Sequence, residues 1–166
     1  MPDTTPRSAT PPDPAAGTHI WTTLGYQRLA WSHGSTTIGW DAPQDYCFPS
    51  AGGPVVQGGL VTALLDAAMG GACWSVLDAN QAFLTADLRV EFLRPTRPGM
   101  LTSTGSVVRR TRRVVFCAAE LFDADGTLLA TSRCTQVVLP AGGHAGRSIP
   151  TNANQDESEP PQDARG

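Results

Sequence analysis

VVQGGLVTALLDAAMGGACWSVL, residues 55–77, is the stretch whose reading decides the fold. Leu60, Leu64, Leu65 and Met69 supply bulk, while Ala63, Ala67, Ala68, Gly70, Gly71 and Ala72 supply small contact surfaces. Apart from Thr62, Asp66 and Ser75 the segment has no polar side, so the spacing predicts one helix buried all round. A glycine inside a helix costs about 1 kcal/mol. Two of them together at 70–71 predict that a neighbouring backbone comes close there.

Working outward, the pattern changes on both sides. Residues 41–54 (DAPQDYCFPSAGGP) hold enough Pro and Gly to read as loop. Residues 27–40 read as two strands around a Ser-His-Gly-Ser turn, and 18–26 as a short helix or turn leading in. Downstream the period becomes two. Over 83–93 one face holds Phe83, Thr85, Asp87, Arg89, Glu91 and Leu93, the other Leu84, Ala86, Leu88, Val90 and Phe92, as in a half-buried strand. Three more strands follow, at 100–110, 113–122 and 127–139, with a turn at Arg94–Gly99 and a hairpin signal at Asp123-Ala124-Asp125-Gly126. Strands, one long apolar helix, then strands joined by short turns make an α+β domain, a curved antiparallel sheet wrapped around one long buried helix.

The domain is expected over residues 18–140. Residues 1–17 hold five prolines among polar residues, and 141–166 are polar and rich in Gly and Pro, so both tails are expected to be disordered. A net charge of −3 does not suit phosphate neutralisation, so no nucleic-acid partner is expected. Cys47, Cys73, Cys117 and Cys134 are scattered with no CxxC pair, and no metal site is expected. The uncharged run from Tyr46 to Leu65 is broken by prolines and glycines, and no membrane span is expected. No signal peptide is visible, which makes the cytoplasm the expected compartment.

Asp66 is the one charge between Asp45 and Asp78, placed in the middle of an apolar helix. A carboxylate there is costly to ionise, so its pKa should rise. Its structural alternative is a carboxylate serving a hydrogen bond or an interface. Gly58 and Gly59 open the same helix, where free N–H groups and the positive dipole end would accept a ligand oxygen with no Cβ in the way. Gly58 and Asp66 are eight residues apart, ~12 Å along a helix. One carbonyl cannot touch both in one chain. A two-fold pairing of antiparallel helices would bring Gly58 of one copy to Asp66 of the other, so any joint chemistry requires at least a dimer. The arginines at 109, 110, 112 and 113 read either as a solvated strand end or as a site for phosphates.

Gln57-Gly58-Gly59-Leu60 followed by Leu65-Asp66 resembles the His-Gly-Gly…Asp motif of phenylacetate-pathway-type hotdog thioesterases, of the 4-hydroxybenzoyl-CoA thioesterase superfamily. Thr85-Ala86-Asp87-Leu88, Phe92-Leu93-Arg94-Pro95 and Asp125-Gly126-Thr127-Leu128-Leu129-Ala130 fall in the order of that family's later strand motifs. The resemblance covers roughly residues 20–140. It implies a hotdog fold and hydrolysis of an acyl-CoA thioester at a site shared between subunits of a homodimer or homotetramer. It also implies no cofactor beyond the coenzyme A of the substrate. The N–H matching Gly58 would polarise the thioester carbonyl. Asp66 would be nucleophile or general base, and Thr85 would hold that carboxylate or the water. The family histidine is Gln57 here. A second branch of the family places an amide seven residues before the glycine, where this chain has Ala51. Gly59, Met69, Arg94, Arg110, Arg112 and Arg113 are the candidates for contact with the acyl chain or the CoA phosphates, with Arg97 and Arg133 as further arginines.

Two other readings use the same fold. One is an acyl-binding module without turnover. The other is a dehydratase, for which Cys47-Phe48-Pro49 stands where a His-Phe-Pro would be needed and no histidine is available. A serine hydrolase is excluded by the lack of a Gly-x-Ser-x-Gly elbow.

Overall fold

The computed structural model describes residues 19–141; residues 1–18 and 142–166, and with them the disorder expected of the two tails, lie outside the described residues. After a short helix α1 (His19–Leu24) come β1 (Gln27–Ser32) and β2 (Ser35–Ala42). A one-turn 3-10 helix (Gln44–Tyr46) leads into the two-residue strands β3 (Cys47–Phe48) and β4 (Val55–Val56), which pair with each other. Then follow α2 (Gly58–Val76), β5 (Gln81–Phe92), β6 (Gly99–Arg110), β7 (Val114–Asp123) and β8 (Leu128–Pro140). Six strands form one sheet in the order β1-β2-β6-β7-β8-β5, antiparallel at every step. The loop expected at 41–54 therefore carries a strand of its own. Val55 and Val56, expected in the helix, extend instead to pair with β3, because Pro54 cannot donate and Gln57 caps the helix that follows.

Helix α2 lies across the middle of the sheet, against β6, β2 and β7. Val61, Leu64, Leu65, Ala68, Met69, Ala72, Cys73 and Val76 are buried. They meet Ile38 and Trp40 of β2, Leu101 of β6 and Val115, Cys117, Ala119 and Leu121 of β7. The expected burial all round does not occur within one chain. Thr62, Ala63, Asp66, Ala67 and Gly70 form a strip that stays half-buried, because the sheet covers only one side of the helix. By length and composition α2 is apolar enough to cross a membrane, a property that core helices share.

The backbone approach expected at Gly70 and Gly71 falls elsewhere: those two glycines face the side chains of Phe83 and Thr36, and the backbone contact is made at Gly105. A Cβ on Gly71 would stand 2.8 Å from the Thr36 side chain of β2, and one on Gly105 of β6 would collide with the Ala68 carbonyl and stand 2.6 Å from the Met69 nitrogen. Gly105 is the point where helix and sheet backbones touch.

Strand β5 departs from simple alternation. Its register with β8 shifts between Thr85 and Asp87, so Ala86 is a bulge. Before it, Phe83 and Thr85 face α2, with Phe83 against Gly70 and Trp74. After it, the inward residues are Leu88 and Val90, half-buried, and Phe92, whose ring reaches Gly58. One extra residue reverses the alternation. The two faces read from the sequence are each half right.

Candidate active site

Asp66 projects from the half-buried strip of α2 toward β5. Thr85 Oγ1 lies 3.2 Å from its Oδ1, the hydroxyl donating to the carboxylate. Burial pushes the Asp66 carboxyl above its ordinary pKa, and the Thr85 hydrogen bond pulls partly back. Thr85 also approaches Gln136 Oε1 of β8, at 3.0 Å. Gln136 is fully buried, and the sequence reading passed over it.

The second half of the constellation is the start of α2. Gln57 is the N-cap, and its Oε1 accepts from the Leu60 N–H at 3.2 Å. The Gln57 carbonyl accepts the N–H groups of Leu60 and Val61. The N–H groups of Gly58 and Gly59 precede the first intrahelical bond and are left for a ligand. The Phe92 ring stands 3.3 Å from where a Cβ on residue 58 would be, so glycine here leaves the N–H reachable beside an aromatic wall. Thr62, on the same turn, spends its hydroxyl on the Gly58 carbonyl at 2.8 Å.

Two clefts flank this helix start. One, of about 460 Å³, is lined by Phe48, Val56, Gly58, Val61, Phe92 and Arg94 among others. The other, of about 420 Å³, lies by Tyr46, Phe48, Gln57 and Leu60. Their walls are mainly apolar. Arg94 stands at the rim of the first cleft, its Nη1 donating to the Leu128 carbonyl at 2.7 Å.

The remaining candidates lie elsewhere. Met69 is fully buried in the core and cannot line a cleft in this chain. Arg97 pins the 50–54 loop through the Gly53 and Pro54 carbonyls. Arg133 is exposed beside Arg89 and Glu91 on the face of the sheet away from α2. Arg110 sits at the far end of α2, where it donates to the Val76 carbonyl, to Asp78 Oδ2 at 3.2 Å and to Gln81 Oε1 at 3.0 Å. A cation there satisfies a terminal carbonyl and the negative end of the helix dipole. Arg112 and Arg113 are exposed in the adjoining β6–β7 turn. The chain thus brings together Asp66 with Thr85, and Gln57 with Gly58 and Gly59, but not these two groups with each other or with Arg110, Arg112 and Arg113.

Arg110→Met should lower the unfolding free energy by about 1 kcal/mol in urea titration, through loss of the cap. Unchanged stability with weakened acyl-CoA binding would give Arg110 to the substrate instead.

The four cysteines are free. Among the described residues, no group of three His, Cys, Asp or Glu side chains is placed to hold a metal ion.

The family model of the thioesterase superfamily matches residues 53–130. That span begins before the helix start and ends in β8, and it includes Gly58, Asp66 and Thr85. Medium/long-chain acyl-CoA thioesterase YigI of Salmonella typhimurium is 30% identical over 97 residues, 51% of this chain and 63% of that protein. The chain spans less than two thirds of the length of the curated relatives it matches first. A phenylacetic acid degradation-related protein of Ralstonia eutropha, solved by crystallography, is 30% identical with a TM-score of 0.66 over 76% of this chain and 91% of that one. The PaaI protein of Escherichia coli, from the phenylacetic acid degradation operon, shares the fold with a TM-score of 0.70 at 19% identity, over 76% of this chain and 88% of that one.

Proposed function

Because the chain belongs to the thioesterase superfamily and has its hotdog fold, we propose that it hydrolyses an acyl-CoA thioester to the free acid and coenzyme A. Asp66 is the working carboxylate in this reading, and the Gly58 N–H of a second copy is the oxyanion donor. The observation that carries it is a carboxyl whose pKa is raised by burial, held by Thr85, on a strip of α2 that its own chain leaves uncovered.

A second copy supplies what one chain lacks. The strip from Thr62 to Gly70 is small and mostly apolar, suited to a helix crossing antiparallel. β5 is an edge of the sheet with Leu84 55% exposed beside Thr85, so a copy seated there buries apolar surface next to Asp66. Dimer and tetramer both satisfy this requirement.

The thioester carbonyl oxygen would lie at the Gly58 N–H, where the dipole end of α2 favours the charge that develops on it. The acyl chain and the pantetheine arm would occupy the two clefts on either side. In the general-base route, water gives its proton to Asp66 as its oxygen bonds to the carbonyl carbon. The tetrahedral species then expels the thiolate, which takes that proton back. In the nucleophilic route, Asp66 Oδ bonds to the carbonyl carbon, the C–S bond breaks, and water opens the resulting anhydride. Arg94, which lines the first cleft, is the cation this reading gives to the CoA phosphates, with the exposed Arg112 and Arg113 as further candidates.

A panel of short, medium and aryl acyl-CoA substrates with thiol detection tests the activity, and release of no thiol from any of them would sink it. The shared site has its own test. Asp66→Asn and Gly58→Pro should each be nearly inactive. Proline is tolerated at the first position of a helix, so the second variant removes the N–H while keeping the helix. After subunit exchange their mixture should recover about a quarter of wild-type turnover, since half the dimers are mixed and each mixed dimer holds one whole site. No recovery with exchange demonstrated would place each site within one chain. The acyl-binding alternative draws on Gln57, whose side-chain oxygen is committed to capping α2; it predicts acyl-CoA binding without thiol release.

A further inference from the structure

Thr85 has one hydroxyl proton and two acceptors, Asp66 Oδ1 at 3.2 Å and Gln136 Oε1 at 3.0 Å. We infer that Gln136 is a positioning residue that sets the proton affinity of Asp66 by competing with it for the Thr85 proton. This inference rests on the proposal that Asp66 is the working carboxylate, and it adds a buried residue that regulates it.

The orientation of the amide follows from what surrounds it. Gln136 is fully buried, and its Nε2 donates to Cys134 Sγ at 3.2 Å. Cys134 stands opposite Cys117 in the β7–β8 register, within the buried core. The nitrogen end of the amide faces the thiol sulfur, and the oxygen end faces the Thr85 hydroxyl. The donors run one way, from Thr85 to Gln136 Oε1 and from Gln136 Nε2 to Cys134.

The consequence for Asp66 depends on its charge. When Asp66 is neutral it can donate to Thr85 Oγ1, and Thr85 donates to Gln136, so every group is satisfied. When Asp66 is ionised it needs the Thr85 proton, and Gln136 Oε1 is left buried without a donor. A hydrogen-bond arrangement that suits the neutral acid raises its pKa. The titratable groups of the elements packed about Asp66 are Cys134 of β8, Cys117 of β7 and Cys73 of its own helix, and the thiols of Cys117 and Cys134 are held above their ordinary pKa. Asp87 and Arg89 lie beyond the bulge, with the exposed residues of β5. No cation on the inner face offsets the effect among the described residues. A base whose pKa is lifted toward neutrality is a stronger acceptor for a water proton.

The experiment follows the ¹³C resonance of the Asp66 carboxyl across pH in the intact protein, beside the acid limb of kcat/KM. Gln136→Met keeps length and packing but frees the Thr85 proton for Asp66, so the Asp66 titration should move down by about one pH unit. Thr85→Val removes the donor, so it should move up. Opposite shifts in the two variants are a signature that loss of packing alone does not give. An unchanged or raised titration in Gln136→Met would overturn the inference. Wild-type protein offers a check that needs no variant to fold: the Gln136 side-chain amide protons should show nuclear Overhauser contacts to Cys134 Hβ, and contacts to Thr85 in their place would also overturn it. The carboxyl titration is read without turnover. Failure of the thioesterase proposal would show as an inactive wild type, distinct from an Asp66 resonance that does not respond to Gln136.

Discussion

Asp66→Asn should reduce thioester turnover per folded protein ~10²–10⁴-fold if Asp66 is a general base, and further if it is a nucleophile. The substitution keeps the size of the side chain and its capacity to accept from Thr85, while removing the charge that activates water or attacks carbon. Stability should move the other way. Burial raises the folded-state pKa of Asp66 above its unfolded value. Such a carboxyl favours the folded state below the unfolded pKa, where both states are protonated, and that contribution is lost as pH rises through the folded pKa. At neutral pH the ionised group therefore opposes folding, and the asparagine variant should melt at or above the wild-type temperature. The gap between them should narrow as pH falls through the folded-state pKa of Asp66. In the same assay, the acid limb of wild-type kcat/KM should lie above the ordinary carboxylate range. Normal turnover in a well-folded variant would remove Asp66 from the chemistry, and a large loss of melting temperature at neutral pH would mark it as a structural residue.

Gly105→Ala should be among the most destabilising single changes in the domain. The new methyl group would stand inside contact distance of the Ala68 carbonyl, with the Met69 nitrogen 2.6 Å away. Both are backbone atoms of a helix and cannot rotate aside, so α2 would have to lift from β6. Overpacking of ordinary side chains costs about 1–3 kcal/mol, and a clash against helical backbone should reach ~3 kcal/mol or more, a large share of a typical ~5–15 kcal/mol total. Urea unfolding or the yield of soluble protein would show it. A Gly105→Ala protein with the wild-type midpoint would mean that helix and sheet do not touch there.

Much of the fold could be read because its signals are local. The helix announces itself through bulky and small apolar residues with almost no polar side. Each long strand lies within two residues of its expected ends, because short polar turns, two of them closed by Gly99 and Gly126, separate the runs. Asp66 stood out as a lone charge on an apolar element, and Thr85 entered through resemblance. What stayed hidden depends on contacts distant in sequence. Gln136 sits in TSRCTQVVL, where both alternation faces mix polar and apolar residues, so nothing local says which face is inside. Arg110 reads as part of a basic cluster until β6 is seen to end beside the last turn of α2. Gly105 carried a signal that went unused, since a glycine within a strand often marks close backbone approach. The uncovered strip of α2 was expected to be buried because composition cannot separate burial by the same chain from burial by another.

The bulge at Ala86 acts as a change of reading frame. Period two assigns every residue of a strand to one face or the other, and a single extra residue inverts the assignment for everything after it. Upstream of Ala86 the inward frame delivers a hydroxyl to Asp66; downstream it delivers Leu88, Val90 and Phe92 and keeps Asp87, Arg89 and Glu91 outside. No uninterrupted frame could do both with this sequence. Anyone grafting the Thr85–Asp66 pair onto another scaffold would have to carry the inserted residue along with it. In a comparison of homologous strands, a one-residue gap near this position would change chemistry rather than length.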